Sequence, residues 1–273
     1  MTTKCNLHTH CTYCDGKNTM EQMVQDAIES GLTSLGFSSH CYTGYPFDDC
    51  QINYERIDDY FLEIQSLKEK YSSQIDIYAG FELESRVYGE VRPTIDKRCD
   101  YTIGSSHILR SEGQYFSIDN TPEIWNECLK STKGIENALN IYYTDYLDFA
   151  KTVPFDIIGH IDLYTKFNEE DVLYDEYSFK DIVIPYIDEL IKTGKIFEVN
   201  TGAISRCWRS TPYPSKYILQ RLKEKNAPIM INSDSHSIRT LTCAFEETEE
   251  MLKSLGFTHQ MYLSKEGFVP VKL

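Results

Sequence analysis

Hydrophobic positions along the chain fall into short continuous runs, separated by longer stretches in which apolar residues recur every three or four positions. The runs lie at 4–7, 34–38, 75–81, 101–105, 156–159, 196–200 and 228–232, and most are rich in Ile, Val, Tyr or Phe. Continuous apolarity without alternation predicts strands buried on both faces, the condition of a parallel sheet. Between the runs, Thr19 can N-cap a helix over 20–30 whose Met20, Met23, Val24, Ala27 and Ile28 share one face, with Gly31 at the stop. The same spacing predicts helices at 54–71, 136–151, 179–193, 216–226 and 244–255, and a short extra strand or hairpin over 257–273. Strands alternating with helices predict βα units around a parallel sheet. Seven such units imply an α/β fold of barrel or near-barrel form, one domain over residues 1–273. Segments 108–122, 163–178 and 201–214 are longer than a connection needs. They follow the fourth, fifth and sixth strands on one end of the sheet, where loops of such length are often functional.

Composition narrows the partners. The chain has 273 residues, 41% hydrophobic and 25% charged, which excludes collagen-like and disordered classes. Lys and Arg number 27 against 42 Asp and Glu, a net charge of −15 that repels nucleic acid and anionic membranes. No apolar run approaches the roughly 18 residues of a membrane span. The start, Met1-Thr-Thr-Lys-Cys-Asn-Leu-His8, lacks the apolar core of a signal peptide, so a cytoplasmic protein is expected. Nine cysteines form no regular framework and read as thiols. Cys11, Cys14 and Cys41 read as small buried hydrophobes, and Tyr142, Tyr143 and Tyr146 as core.

The histidines change the picture most. Of seven, His8, His10, His40, His107, His160 and His236 all fall at or just beyond the C-terminal end of a predicted strand, and only His259 lies elsewhere. In an α/β barrel those ends converge on the active-site face. The third strand brings Glu82 and Glu84 to the equivalent place, the first is followed by Asp15, and the seventh carries Asp234 beside His236. His-x-His on a strand puts two imidazoles on one face, because side-chain direction repeats every two residues. Imidazoles mixed with carboxylates suit zinc, iron or manganese better than calcium or magnesium. Six His with Asp15, Glu82 and Asp234 exceed the ligand set of one ion, so two or three divalent ions are expected, with Glu82 or Asp234 able to bridge a pair.

In order along the chain, the motifs are His8-Thr-His10, Tyr13-Cys-Asp15-Gly16, Ser39-His40, Gly80-Phe-Glu82 and Gly104-Ser-Ser-His107. They continue with Gly159-His160-Ile-Asp162, Glu198-Val-Asn200-Thr201 and Ser233-Asp234-Ser-His236. This series resembles the PHP (polymerase and histidinol phosphatase) superfamily, and within it the monofunctional histidinol-phosphate phosphatases. The resemblance implies a distorted (β/α)7 barrel with a trinuclear metal centre at the strand C-termini. It implies that His8, His10, Glu82 and Asp234 hold one metal, that Glu82 bridges to a second completed by His107 and His160, and that Asp15, His40 and His236 hold the third. It further implies hydrolysis of a small phosphate monoester, L-histidinol phosphate before nucleotide or sugar phosphates. An amidohydrolase is the next alternative, but that class places a bridging lysine where this chain has His107. A closed, non-catalytic metal store does not call for three long loops above the rim. Arg206, Arg209 and Arg110 are the candidate phosphate grips. Asp162 and Glu198 are candidates to orient ligand imidazoles or to cap local backbone, and Asp234 or His236 to protonate the leaving group. The sixth-strand loop, Thr201-Gly-Ala-Ile-Ser-Arg206, departs from the serine-glycine pair the family pattern sets before the arginine. After His107, Ile-Leu-Arg110-Ser-Glu departs from its aromatic composition.

Overall fold

The computed structural model describes residues 4–89, 92–169 and 172–273. Residues 1–3, 90 and 91, and residues 170 and 171 of the predicted 163–178 loop, lie outside it. Seven parallel strands form one sheet in chain order: β1 (Cys5–Asn6), β2 (Ser34–Phe37), β3 (Asp76–Glu84), β4 (Tyr101–Ser105), β7 (Ile157–Ile158), β8 (Ile196–Asn200) and β9 (Ile229–Asn232). The sheet curls into a barrel whose last seam is held by few backbone bonds. At the top, His10 N donates to Ser235 O and Ser235 N to His8 O. Below, Asn6 and Asn232 side chains bridge to Ser233 Oγ and Leu7 N.

Strand periodicity sets what each face sees. On β3, β8 and β9 the outward residues Ile77, Ala79, Phe81, Leu83, Phe197, Val199, Ile229 and Ile231 join the core shared with the helices. The inward residues change character along the axis: Tyr78, Ile196 and Met230 fill the lower barrel, while Glu82, Glu198, Asn200 and Asn232 line its upper half. Tyr101 crosses the interior from β4, donating its hydroxyl to Leu7 O. It passes against Gly36 and Gly80, where an added Cβ would come within 2.3 Å of its hydroxyl and 2.7 Å of its ring, respectively. Both glycines therefore keep space for the plug.

The helices match their sequence signals. Helix α1 (Met20–Glu29) starts with a capping box between Thr19 and Gln22, and α2 (Ile57–Lys70) follows a 3-10 turn at Tyr54–Arg56. Helices α4 (Ile135–Thr152), α5 (Lys180–Ile191), α7 (Lys216–Glu224) and α8 (Phe245–Ser254) complete the predicted set. Tyr142, Tyr143 and Tyr146 lie on the buried face of α4. The segment 108–122 is more ordered than expected. It holds a hairpin, β5 (Ile108–Ser111) and β6 (Gln114–Ser117), turned by Glu112 and Gly113 at positive φ, and leads into α3 (Pro122–Ser131). In 201–214 the chain makes one helical turn, α6 (Gly202–Ser205). A final hairpin, β10 (His259–Ser264) and β11 (Gly267–Lys272), packs Leu263 against the lower barrel cluster. No helix among the described residues is long and apolar enough to cross a membrane.

Candidate metal centre

All nine side chains marked in the sequence as metal ligands converge at the upper end of the barrel. His8 and His10 follow β1, and the turn after them returns Asp15 over His10. This turn needs Gly16, whose Cβ would meet Cys11 N and the His10 carbonyl carbon at 2.4 Å. His40 follows β2, Glu82 stands on β3, and His107 and His160 follow β4 and β7. Asp234 follows β9 in the left-handed region (φ 50°), an uncommon conformation for a non-glycine residue. That backbone turns one carboxylate oxygen toward the histidines and the other toward Arg206.

Three overlapping donor sets result. In the deepest, His8 Nε2 lies 3.2 Å from Glu82 Oε2 and 3.6 Å from Asp234 Oδ1, while His10 Nε2 lies 3.6 and 3.2 Å from the same two oxygens. A tetrahedron with bonds of about 2.0–2.1 Å has edges of about 3.3–3.4 Å, so these four spacings are those of ligands around one small cation. His8 Nε2, His10 Nε2 and Glu82 Oε2 are buried without a hydrogen-bond partner among the described residues. Orphans of this kind are costly unless something else engages them, and a cation between lone pairs does so. The residues fit a metal. In the second set, Glu82 Oε1 faces His160 Nε2 at 3.0 Å and His107 Nε2 at 3.5 Å. In the third, Asp15 faces His236 Nε2 at 3.1 Å and His40 Nε2 at 3.7 Å. His10 and His40 stand between sets, since each also groups with neighbours in a second one.

Buried carboxylates hold the outer nitrogens. Glu198 Oε1 takes His8 Nδ1 at 2.7 Å, and its other oxygen accepts His160 N at 2.9 Å. Glu84 Oε2 accepts both His107 N and Nδ1 at 2.9 Å. Sequence reasoning named Glu198 for this role but gave Glu84 none; its signal was the Glu-x-Glu spacing, which puts Glu84 on the same strand face as Glu82. Asp162 instead receives Ser215 N and Oγ at 2.7 and 2.6 Å, so it caps the start of α7. Cys14 Sγ lies 3.5 Å from His10 Nδ1, while Cys11 and Cys41 are buried small groups.

The charges follow from this packing. Burial would raise the carboxyls of Glu82 and Asp234, but facing imidazoles, and for Asp234 first the Arg206 guanidinium, hold both well below the ordinary range. Burial would lower His107, yet Glu82 and Glu84 lift it to about 9. His10, buried and flanked by His236 and His40, is pushed down to about 3 and stays neutral. The same carboxylates raise His8 and His40 as well, so a cluster of anionic carboxylates draws positive charge onto its imidazoles, and a cation bound there would take the place of their protons.

Above the donors lies a cavity of about 500 Å³ lined by Asp15, His40, His107, His160, Asp234 and His236 at its base, with Arg206, Lys17, Lys166, Asp119 and Phe47 on its walls. Of the three candidate arginines, Arg206 lines the cavity, while Arg209 and Arg110 do not. Cys207, at φ 58°, reverses the chain after Arg206. Arg209 then turns away, donating to Thr165 O and to Glu176 at 2.7 and 2.8 Å. Arg110 lies on the β5–β6 hairpin with its guanidinium 5.7 Å from the Tyr115 ring centroid. Lys17, Lys166 and Asp119 went unnoticed in the sequence because they sit in loops without periodicity. The surroundings of Asp234 and His236 bear on their candidacy as proton donors to the leaving group. Asp234 is held ionised with both oxygens engaged, and His236 has its nitrogens on Asp15 and on the Asp234–Arg206 pair.

Comparison with known proteins places this geometry among relatives. The family model described as "PHP domain" matches residues 6–202. A Schizosaccharomyces pombe protein named "Probable histidinol-phosphatase" is 27% identical, over 94% of this chain and 89% of that one. The Bacillus subtilis "Histidinol-phosphatase" is 24% identical, over 88% of this chain and 96% of its own. The solved structure of histidinol phosphate phosphatase from Lactococcus lactis, complexed with zinc, L-histidinol and phosphate, superposes with a TM-score of 0.74 at 21% identity. It covers 98% of this chain and 99% of that chain, and establishes a shared fold.

Proposed function

The chain belongs to the PHP-domain family, and on that premise we propose that it is a metal-dependent phosphatase that hydrolyses L-histidinol phosphate to L-histidinol and inorganic phosphate. The observation that carries the reading is the deepest donor set, two imidazole nitrogens each 3.2–3.6 Å from the same two carboxylate oxygens, three of these four atoms having no hydrogen-bond partner among the described residues. The named relatives support the substrate. We take residues 1–273 as one domain working in the cytoplasm on a small phosphorylated molecule.

His8, His10, Glu82 and Asp234 would hold one ion, Glu82, His107 and His160 a second, and Asp15, His40 and His236 a third, with zinc the best match to the nitrogen-rich sets. Such ions supply a nucleophile from water at neutral pH and neutralise the charge that spreads over phosphoryl oxygens in the transition state. The protein's own groups do the positioning. Glu198 and Glu84 fix the tautomers of His8 and His107, leaving each Nε2 lone pair directed inward. Arg206, at the cavity wall, presents a guanidinium to a phosphoryl oxygen, and Lys17 adds positive charge at the rim. Phe47, Ile108 and Leu163 give the cavity an apolar side against which an imidazole ring can rest. Asp234 and His236 serve as ligands rather than as the acid for the leaving alkoxide.

The test is phosphate release from a panel of monoesters that includes L-histidinol phosphate, a nucleotide and a sugar phosphate, with bound metal counted on the same sample. A preference for L-histidinol phosphate of a hundredfold or more is expected. Equal rates across the panel would keep the phosphatase and remove the substrate.

A further inference from the structure

We propose that the ion held by Asp15, His40 and His236 is the exchangeable one, and that Arg206 governs its occupancy through the tautomer of His236. The proposal rests on the metal reading above and adds an order of affinity to it.

The three donor sets differ in their surroundings. Side-chain exposure is 0–7% for His8, His10, Glu82 and Asp234, and 2 and 18% for His160 and His107 of the second set, but 28, 18 and 22% for Asp15, His40 and His236, so only the third set has every ligand open to solvent. The first two sets have imidazoles backed by Glu198 and Glu84, carboxylates that donate no ligand atom themselves. Among the described residues no such carboxylate backs His236.

What backs His236 instead is contradictory. Its Nδ1 lies 3.0 Å from Asp234 O, which only accepts, and 3.2 Å from Arg206 Nη1, which only donates. One nitrogen of a neutral imidazole cannot satisfy both. If Nδ1 accepts from Arg206, the proton sits on Nε2 and points at Asp15 Oδ2, 3.1 Å away, so Nε2 has no lone pair for a cation. If Nε2 binds the cation, Nδ1 carries the proton and donates to Asp234 O, the carbonyl that Arg206 Nη1 also reaches at 3.2 Å, so the two N–H groups crowd onto one acceptor and the bond between them is lost. Loading the third position therefore breaks the Arg206–His236 hydrogen bond, and does so with a guanidinium charge beside the incoming ion. Arg206 is held in this place by Asp234 Oδ2 at 2.7 Å and by the missing side chain of Gly202, where a Cβ would come within 2.7 Å of its Nη2. The opposition is built in by the fold.

The experiment strips the full chain of metal, reconstitutes it with zinc, and challenges it with graded concentrations of a zinc chelator while bound ions are counted by elemental analysis. Wild type should lose one ion at chelator concentrations at least tenfold below those that remove the others. His236→Asn should lack that first step and keep the later ones. Arg206→Met should move the first step about tenfold toward higher chelator. In parallel, the ¹⁵N shift of His236 in histidine-labelled wild type should change from a hydrogen-bond acceptor to an N–H type at Nδ1 as the last ion binds. Ions leaving together, a first step that survives His236→Asn, an unmoved step in Arg206→Met, or an unchanged Nδ1 signal would each overturn the proposal. Zinc uptake by wild type separates this from the reading beneath it, since a chain that takes up no zinc contradicts the metal centre itself.

Discussion

Replacing Glu198 by Gln removes a charge and exchanges one acceptor for a donor at the most heavily used carboxylate of the barrel. Oε1 receives His8 Nδ1 and Asn232 Nδ2 at 2.7 and 3.0 Å, and Oε2 receives His160 N and Asn200 Nδ2, both at 2.9 Å. Whichever way the new amide turns, its NH2 faces two of these four donors. Neither asparagine can flip to help, because Asn232 Oδ1 already accepts Leu7 N and Asn200 Oδ1 accepts Gly202 N. At about 1–3 kcal/mol for each buried donor left unpaired, the cost is about 2–6 kcal/mol. Unfolding entropy near 2.1 cal/mol/K per residue makes that a drop of roughly 4–10 °C in Tm. The assay is thermal and urea unfolding of metal-stripped protein, so that lost ligation does not add to the effect. With metal present, zinc affinity at the His8 position should fall by about ten- to a hundredfold, the usual consequence of removing a carboxylate behind a ligand imidazole. A variant within about 0.5 kcal/mol of wild type, with unchanged zinc affinity, would refute the reasoning.

Other predictions follow from the same geometry. Gly202→Ala places a Cβ 2.7 Å from Arg206 Nη2 and 2.8 Å from Asp234 Oδ2. Displacing that charged pair should raise KM for the phosphate ester about tenfold with the fold intact, as circular dichroism and steady-state kinetics would show; an unchanged KM contradicts it. Arg209→Ala should do the reverse, destabilising the protein by about 1–3 kcal/mol because Glu176 and the Thr165 carbonyl each lose a charge-assisted hydrogen bond, while KM stays within about twofold of wild type. Burial holds the Asp156 carboxyl above its ordinary value, so its ionised form is disfavoured in the folded state. Its contribution is therefore complete at low pH and is lost as pH rises through the folded value. Asp156→Asn should gain on wild type between pH 4 and pH 7 in urea unfolding, and a constant difference would count against the assignment.

Why so much of this was readable in the sequence comes down to strand geometry. A parallel strand covered on both faces must be apolar throughout, so β2, β3, β8 and β9 announced themselves as continuous runs. The functional residues follow those runs directly, and the His8–His10 and Asp234–His236 spacings show them in sequence. The hairpin β5–β6 escaped notice because Gln114–Ser117 carries mixed polarity on a strand partly open to solvent, although Glu112-Gly113 was a turn signal. Helix α3 has only Trp125 and Cys128 fully buried, too thin a stripe to stand out, yet Thr121-Pro122 marks its start. Arg206 and Arg209 could not be told apart by spacing. The left-handed turn at Cys207 sends one into the cavity and the other behind it, and a backbone reversal at a non-glycine residue leaves no mark in the sequence. Glu84 was visible as a residue but not as a partner, because the partner nitrogen belongs to the next strand.

The central claim is that these nine side chains hold divalent ions without which the barrel is no phosphatase. It is tested most directly by titrating zinc into metal-stripped enzyme while following phosphate release from L-histidinol phosphate and counting bound ions. The account predicts no turnover without metal and a rise that tracks the ions taken up, reaching its maximum with three bound per chain. Full turnover by protein that binds no metal would contradict it.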